Sequence, residues 1–340
     1  MKSPYTGKEM SLLIEERMLV FRKAEFKVAF HFYQCYETAE KFSASDLDAL
    51  NMFQVHNQYR DRFNLPFPDE IACIRAKYDL PATKMSEILG FGTNSYRHSE
   101  SGEVPSNANG KLIQLAADPR KFRGLVEIAE SLAPSYKENL LSKIDKLIRQ
   151  HEEHFFESNL EDYFFYNKVN TDKLAGEFSG YKKPTLEKLT EMVVFFAHRL
   201  KPWKTQLNKL LFYADFLNFK KTCFSISGVS YRVIDMGPIV NNYNSIFEYL
   251  TNNDDVDVRC IEFSNSDTVG EQFVPHPDRA CRIELFSETE MAVLEHVAER
   301  FKNTSTNEII ELSHNEKAWL ENIKERKIIS YKYAFDLSVI

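Results

Sequence analysis

The run Thr93-Asn94-Ser95-Tyr96-Arg97-His98-Ser99 concentrates side chains that can pair with nucleic-acid bases and phosphates. Asn bonds bidentately to adenine N6 and N7, and Arg to guanine O6 and N7. Thr93 and Ser95 suit phosphate oxygens near the positive end of a helix, and Lys84 adds a nearby cation. Tyr96 is expected to point into a core. Elsewhere the reactive chemistry is thin. The chain has no G-x-S-x-G elbow, phosphate-cradling Walker loop, dinucleotide fingerprint or H-E-x-x-H. His151-Glu152-Glu153-His154 imitates the last of these, but its histidines stand at i, i+3 rather than i, i+4, so it reads as a solvated helix surface. Cys223, Cys260 or Cys281 can meet His276 or His296 in space, yet single cysteines of reduced proteins are usually small buried apolar residues. The chain therefore reads as a binding protein and not an enzyme, with no catalytic residue, metal or cofactor assigned.

The elements around the polar run give it a setting. Ile71, Ile74 and Tyr78 recur at i, i+3, i+7 and predict a helix from Asp69 to Tyr78. Pro81 opens a second helix, with Met85, Ile88 and Leu89 on one face. Gly90-Phe91-Gly92 then forces a tight turn, since two glycines in three residues disfavour helix by about 1 kcal/mol each. A third short helix runs from Thr93 to about Ser101 and stops at Gly102. Two helices joined by such a turn predict a helix-turn-helix, whose second helix enters the major groove. Charge agrees. Between Arg75 and Arg123 cations exceed anions by three, although the chain as a whole carries −7.

At 340 residues the chain has room for two or three domains. With 43% apolar and 27% charged residues, its composition excludes disorder over most of its length. No run of 18 apolar residues is present, and the first residues lack the apolar stretch of a secretion signal. The five cysteines are scattered and odd in number, which argues against a disulfide framework. These features predict a soluble, cytoplasmic protein with no membrane contact. The fold class expected is α+β, mainly α.

The order Glu70-Ile-x-x-Ile-Arg75, Leu80, Met85-Ser-x-Ile-Leu-Gly90, Asn94, Tyr96-Arg97, Glu100-x-Gly102-Glu-x-Pro105 resembles an Xre-type helix-turn-helix of the kind found in MqsA/HigA-like bacterial antitoxins. The resemblance implies that Asn94 reads an operator base and that Arg97 and His98 share the role of the basic residue one turn later. Such antitoxins often carry a zinc ribbon ahead of the helix-turn-helix. Here the four ligand positions read Ser3, Thr6, Cys35 and Thr38. Zinc needs thiolate or imidazole ligands, so a degenerate ribbon without metal is expected, with strand-like stretches at Met18–Phe21 and Phe26–Phe30.

Beyond Pro134, Leu140, Ile144, Leu147 and Ile148 share a helical face that either packs on the protein's own core or pairs two subunits. Residues 157–184 read as a polar linker. From Leu186 the sequence predicts helices over 186–200, 205–217, 242–250, 288–302 and 305–313, with a last helical piece from His314, a turn and short strand within 227–234, and strands near 256–263 and 282–286. Lys209-Leu-Leu-Phe-Tyr-Ala-Asp215, Gly228-x-x-Tyr231 and Gly237-Pro238-x-x-x-x-Tyr243 resemble the Panacea (SocA-like) domain. The resulting domain plan is a degenerate ribbon at 1–45, a helix-turn-helix domain at 46–125, a helical connector at 126–184 and a mostly helical Panacea domain at 185–340.

The combined resemblance implies a bacterial antitoxin. Its Panacea domain would bind and neutralise a toxin encoded beside it, and its helix-turn-helix would bind operator DNA, with the chain acting as a homodimer. Toxin contacts are expected among exposed side chains near the motif: Lys209, Asp215, Tyr231, Asn242 and Tyr243. Two other functions fit the same sequence: a ligand-responsive transcription regulator, and an adaptor that delivers its partner to a protease.

Overall fold

The computed structural model describes residues 1–153, 164–165, 175–262 and 269–340. The fold is α+β and mainly helical. It divides into two compact units, Met1–Glu157 and Ser158–Ile340. The His151–His154 run has no described side chains, and most of the predicted linker also lies outside the described residues.

The N-terminal unit opens with an antiparallel sheet of β1 (Ser11–Phe21), β2 (Ala24–Gln34) and the two-residue β3 (Lys41–Phe42), in the order β1-β2-β3. Arg22 and Lys23, both with positive φ, join β1 to β2 with Phe21 opposite Ala24. A two-residue turn of that hand matches the right-handed twist of the strands it connects. Helix α1 (Ser45–Phe63) packs on β2, closing a core of Phe26, Val28, Val55, Tyr59, Leu65 and Val104. Its contact with the sheet is unusual in being polar. The Gln54 amide donates to Ala29 O (2.8 Å) and accepts from Ala29 N (2.9 Å). Asn51 does the same at His31 (3.0 and 2.8 Å), and Gln58 donates to Lys27 O. Backbone groups on that edge of β2 are thereby satisfied by side chains, as a neighbouring strand would satisfy them.

Six helices complete the unit: α2 (Pro68–Lys77), α3 (Ala82–Ile88), α4 (Ser95–Glu100), α5 (Asn107–Leu115), α6 (Pro119–Ile128) and α7 (Pro134–Glu153). They enclose a second core that includes Ile71, Tyr78, Met85, Tyr96, Ile113, Phe122 and Val126. The apolar face of α7 packs inward: Leu140 and Ile144 are buried in this core, and Leu147 and Ile148 lean on it. Of the two roles open for that face, self-packing is the one observed. Buried Arg60 of α1 donates to Gly102 O (2.7 Å), and Arg22 of the β1–β2 turn donates to Val104 O and Pro105 O. Sheet and helices are thus tied together through the segment that leaves α4.

The C-terminal unit is arranged around one helix. α8 (Leu186–Leu200) precedes α9 (Lys204–Thr222), in which every residue from Leu207 to Phe219 is buried. Around them stand the hairpin β4 (Tyr231–Ile234) and β5 (Gly237–Val240), helix α10 (Tyr243–Asn252), the hairpin β6 (Val256–Glu262) and β7 (Val269–Pro275), and helices α11 (Glu288–Phe301), α12 (Thr306–His314) and α13 (Lys317–Leu320). The strand expected at 282–286 is not one. Arg282 is bound to Glu191 through its backbone N–H (2.9 Å) and its Nε (2.8 Å), and Ile283–Leu285 form a short 3-10 turn. Strand β6 instead pairs with β7, which the sequence did not single out; Phe263, the expected end of the first strand, lies outside the described residues. No helix among the described residues is long and apolar enough to cross a membrane.

Candidate functional site

The residues expected to carry function fall in two regions, one in each unit. In the N-terminal unit α3 leads through Gly90-Phe91-Gly92 into α4. Tyr96 anchors α4 from within: it is fully buried, its hydroxyl donates to Ile71 O (2.8 Å), and its N–H is received by the Ser86 hydroxyl (3.1 Å). Arg75 of α2 pairs with Glu100 (2.6 Å) and donates to Leu80 O, which steadies the far end. With one face fixed in this way, the other faces outward. Thr93, Asn94, Arg97 and His98 are exposed, while Ser95 and Lys84 are half-buried. Arg97 donates to the Asn94 side-chain oxygen (3.2 Å), and His98 lies 3.4 Å from Glu103. Lys84 pairs with Glu87 (2.7 Å) and sits over the ring of Tyr136. The structure brings five of the six residues assigned to DNA together along one short segment, with Lys84 on the preceding helix.

The segment expected to form a degenerate ribbon has a repeated geometry of its own. Ser3 N–H donates to Lys8 O and Gly7 N–H to Ser3 O; Cys35 N–H donates to Glu40 O and Ala39 N–H to Cys35 O. The two loops therefore repeat one pattern, i to i+5 and i+4 to i, and each has positive φ at its fifth residue, Gly7 and Ala39. They converge, with the Thr6 hydroxyl 3.8 Å from the Cys35 sulfur. Hydrogen bonds from Ser3 first, and then Thr38, draw the Cys35 thiol down to about 6. One thiol among three neutral hydroxyls is not a donor set for zinc, which binds thiolates, imidazoles and carboxylates.

In the C-terminal unit the expectation of exposed motif residues fails for three of five. Lys209, Asp215 and Tyr231 are completely buried; Asn242 and Tyr243 are half-buried. The reason is that α9 is enclosed on all sides, so its polar side chains must find partners inside the protein, and Tyr231 of β4 is one of those partners. Each one holds a piece of the chain that follows. Asp215 accepts four hydrogen bonds, from Ile226 N (2.6 Å), Ser227 N (2.8 Å), the Ser227 hydroxyl and the Tyr231 hydroxyl (2.8 Å). Burial raises its carboxyl above the usual range, and these donors pull it back. Lys209 Nζ donates to Pro238 O (2.8 Å), and burial lowers the amine to about 7. Asn208 accepts from Val240 N, and Asn218 donates to Phe224 O. Sequence reasoning did not pick out the last two; the available signal is two further polar residues on a helix otherwise built of Leu, Phe and Tyr.

The motif glycines follow from the same packing. Gly228 has φ +77°, and a Cβ there would lie 2.7 Å from the backbone of Lys183. Gly237 has φ +94°, and a Cβ there would lie 2.6 Å from Lys209 Cε and press on the Ser313 hydroxyl. Both positions need the freedom of a residue without a side chain.

Asn242, with positive φ, precedes α10 and donates to Phe164 O (3.4 Å), while Tyr243 packs edge-on to Phe247 beneath Lys204. No curated protein matches the chain. Residues 207–320, which begin on α9 and end in α13, match the family model described as antitoxin SocA-like, Panacea domain, and over that segment the C-terminal unit is antitoxin-like.

Proposed function

We propose that the protein is the antitoxin of a bacterial toxin–antitoxin pair. The C-terminal unit binds and neutralises a toxin protein, and the N-terminal unit binds operator DNA through α3, the glycine turn and α4, as a homodimer in the cytoplasm. The observation that carries the reading is the match of residues 207–320 to the antitoxin Panacea domain. It is supported by an N-terminal unit that displays Asn94, Arg97 and His98 on a helix anchored by Tyr96. In this reading Asn94 and Arg97 exchange their mutual bond for bonds to base edges, and Thr93, Ser95 and Lys84 contact phosphates.

The protein acts by binding and not by catalysis. Two of its cysteines support this: burial drives the Cys223 thiol far up and the Cys281 thiol to about 11, the opposite of what an attacking thiolate requires, while the lowered Cys35 thiol has only hydroxyls and backbone around it and no base. Toxin contact falls to the surface of the loops that Asp215 and Lys209 hold, and the two buried residues shape it indirectly.

The test is co-expression of the full chain with the adjacent reading frame. Growth arrest by that frame alone, its relief by this chain, and co-purification of the two proteins are the expected results. An adjacent frame that is harmless, or an arrest that this chain does not relieve, would overturn the reading. A shortened toxin half-life in its presence would identify delivery to a protease instead of sequestration.

A further inference from the structure

We infer that two copies of this chain join through the outer edge of β1, strand against antiparallel strand, about a two-fold axis at Glu16. The parity of the β1–β2 hairpin sets up the argument. In a hairpin closed by a two-residue turn the flanking residues, here Phe21 and Ala24, form a hydrogen-bonded pair, and bonded and non-bonded pairs alternate from there. Leu12, Ile14, Glu16, Met18 and Val20 are then the residues that direct both N–H and C=O away from β2. The same parity is visible on β2, where the outward groups at Lys27, Ala29 and His31 are the ones met by the amides of α1. Among the described residues nothing meets those of β1. This leaves an eleven-residue edge without proline or bulge; of the devices that usually blunt such edges it carries only the central charges Glu15, Glu16 and Arg17.

The side chains say what fits it. Leu12, Ile14, Met18 and Val20 are 51, 43, 57 and 69% exposed and line the face of β1 away from the core. Centred on Glu16, a second copy sets Ile14 against Met18, Leu12 against Val20 and Leu13 against Leu19, on both sides of the axis. It also sets Glu15 against Arg17 twice, in the non-bonded pairs where side chains approach most closely, adding to the pairs that Glu15 already makes with Arg17 and Lys41 (2.7 Å) of its own chain. Each Glu16 meets its own copy, but each is already paired with Lys27 of its own chain (2.6 Å). Centring on Glu15 or Arg17 also opposes one pair of like charges, but in addition loses both Glu15–Arg17 pairs and sets a charged residue against leucine. Charge and apolar complementarity thus select one register and one occupant, and the result is a continuous six-stranded sheet. This gives the proposed homodimer its surface, yet it is tested apart from toxin neutralisation.

The experiment is sedimentation equilibrium of the full chain and of charge variants whose melting temperatures are also recorded. The unaltered protein is expected to dimerise. Arg17→Glu alone and Glu15→Arg alone should each raise the dissociation constant by roughly tenfold to hundredfold, since each converts two attractive cross-strand pairs into repulsive ones. An equimolar mixture of the two variants should recover a dimer, because both cross-strand pairs then join opposite charges again. A monomeric unaltered protein, a dimer indifferent to both substitutions, or variants that fail to recover on mixing would each overturn the proposal. None of those results bears on growth rescue, which tests the antitoxin reading separately.

Discussion

The two regions that carry the motifs use polar residues in opposite ways. On α4 one aromatic side chain is buried and the amide, guanidinium and imidazole around it face solvent. On α9 thirteen consecutive residues are buried, and amide, ammonium and carboxylate are turned into fasteners for residues 224–240. A polar side chain beside a glycine-rich turn therefore has no fixed meaning. A short helix with one buried face leaves it in solvent, whereas a helix at the centre of a unit uses it to position backbone. The antitoxin-like match falls on the second kind of region, so several of its motif residues are buried and hold backbone in place.

The contrast can be broken most directly at Asp215. Asp215→Ala leaves four donors without an acceptor in a dry interior and should destabilise the C-terminal unit by about 3–5 kcal/mol. A urea melt followed by tryptophan fluorescence would read this, and toxin neutralisation should fall with it. Asp215→Asn, which keeps an acceptor for the two backbone N–H groups, should retain most of that stability. At the other region Asn94→Ala should weaken operator binding by about 1–3 kcal/mol in a gel-shift titration and leave the melt unchanged. A fall in stability without a change in DNA affinity would show that α4 belongs to the fastening class after all.

A subtler test uses pH. The Lys209 amine, close to His314, is lowered by burial to about 7, whereas in the unfolded chain it titrates near 10.4. Between those values the unfolded state binds more protons than the folded one, so this residue makes stability rise as pH increases from 7 towards 10. The penalty it imposes is complete below the folded value and disappears above the unfolded one. Lys209→Met should flatten the slope over that window and raise the melting temperature at pH 7. Unchanged slopes in the two proteins would mean that the amine is not confined as the structure indicates.

Legibility follows the same division. Where burial is apolar and periodic, as in α2, α3, α8 and α11, residue spacing alone locates the elements. It locates α4 as well, because glycines bracket it and Tyr96 is its one large aromatic residue. It passes over α1, whose inward face carries Asn51, Gln54, Asn57 and Arg60, so no hydrophobic stripe marks it. It misplaces Lys209 and Asp215 for a related reason: polar type suggests exposure, although a helix with apolar residues on every side leaves no exposed face, and it misplaces Tyr231 of β4 because that hydroxyl is drawn inward to Asp215. Nor does spacing disclose that the loops at Ser3 and Cys35 repeat one backbone pattern, since only Cys35 retains a ligand's chemistry.

The three amides of α1 have a consequence for how this protein can change. Asn51, Gln54 and Gln58 reach alternate residues of β2 only because their spacing keeps them on one side of the helix. Adding or deleting a single residue between them would swing the later ones by about 100° and strand their targets. Substitutions along α1 can accumulate, but the count of residues from Asn51 to Gln58 is locked. Any duplication that lengthened this stretch would uncover a second sticky margin on the sheet, and with it a route to open-ended polymers.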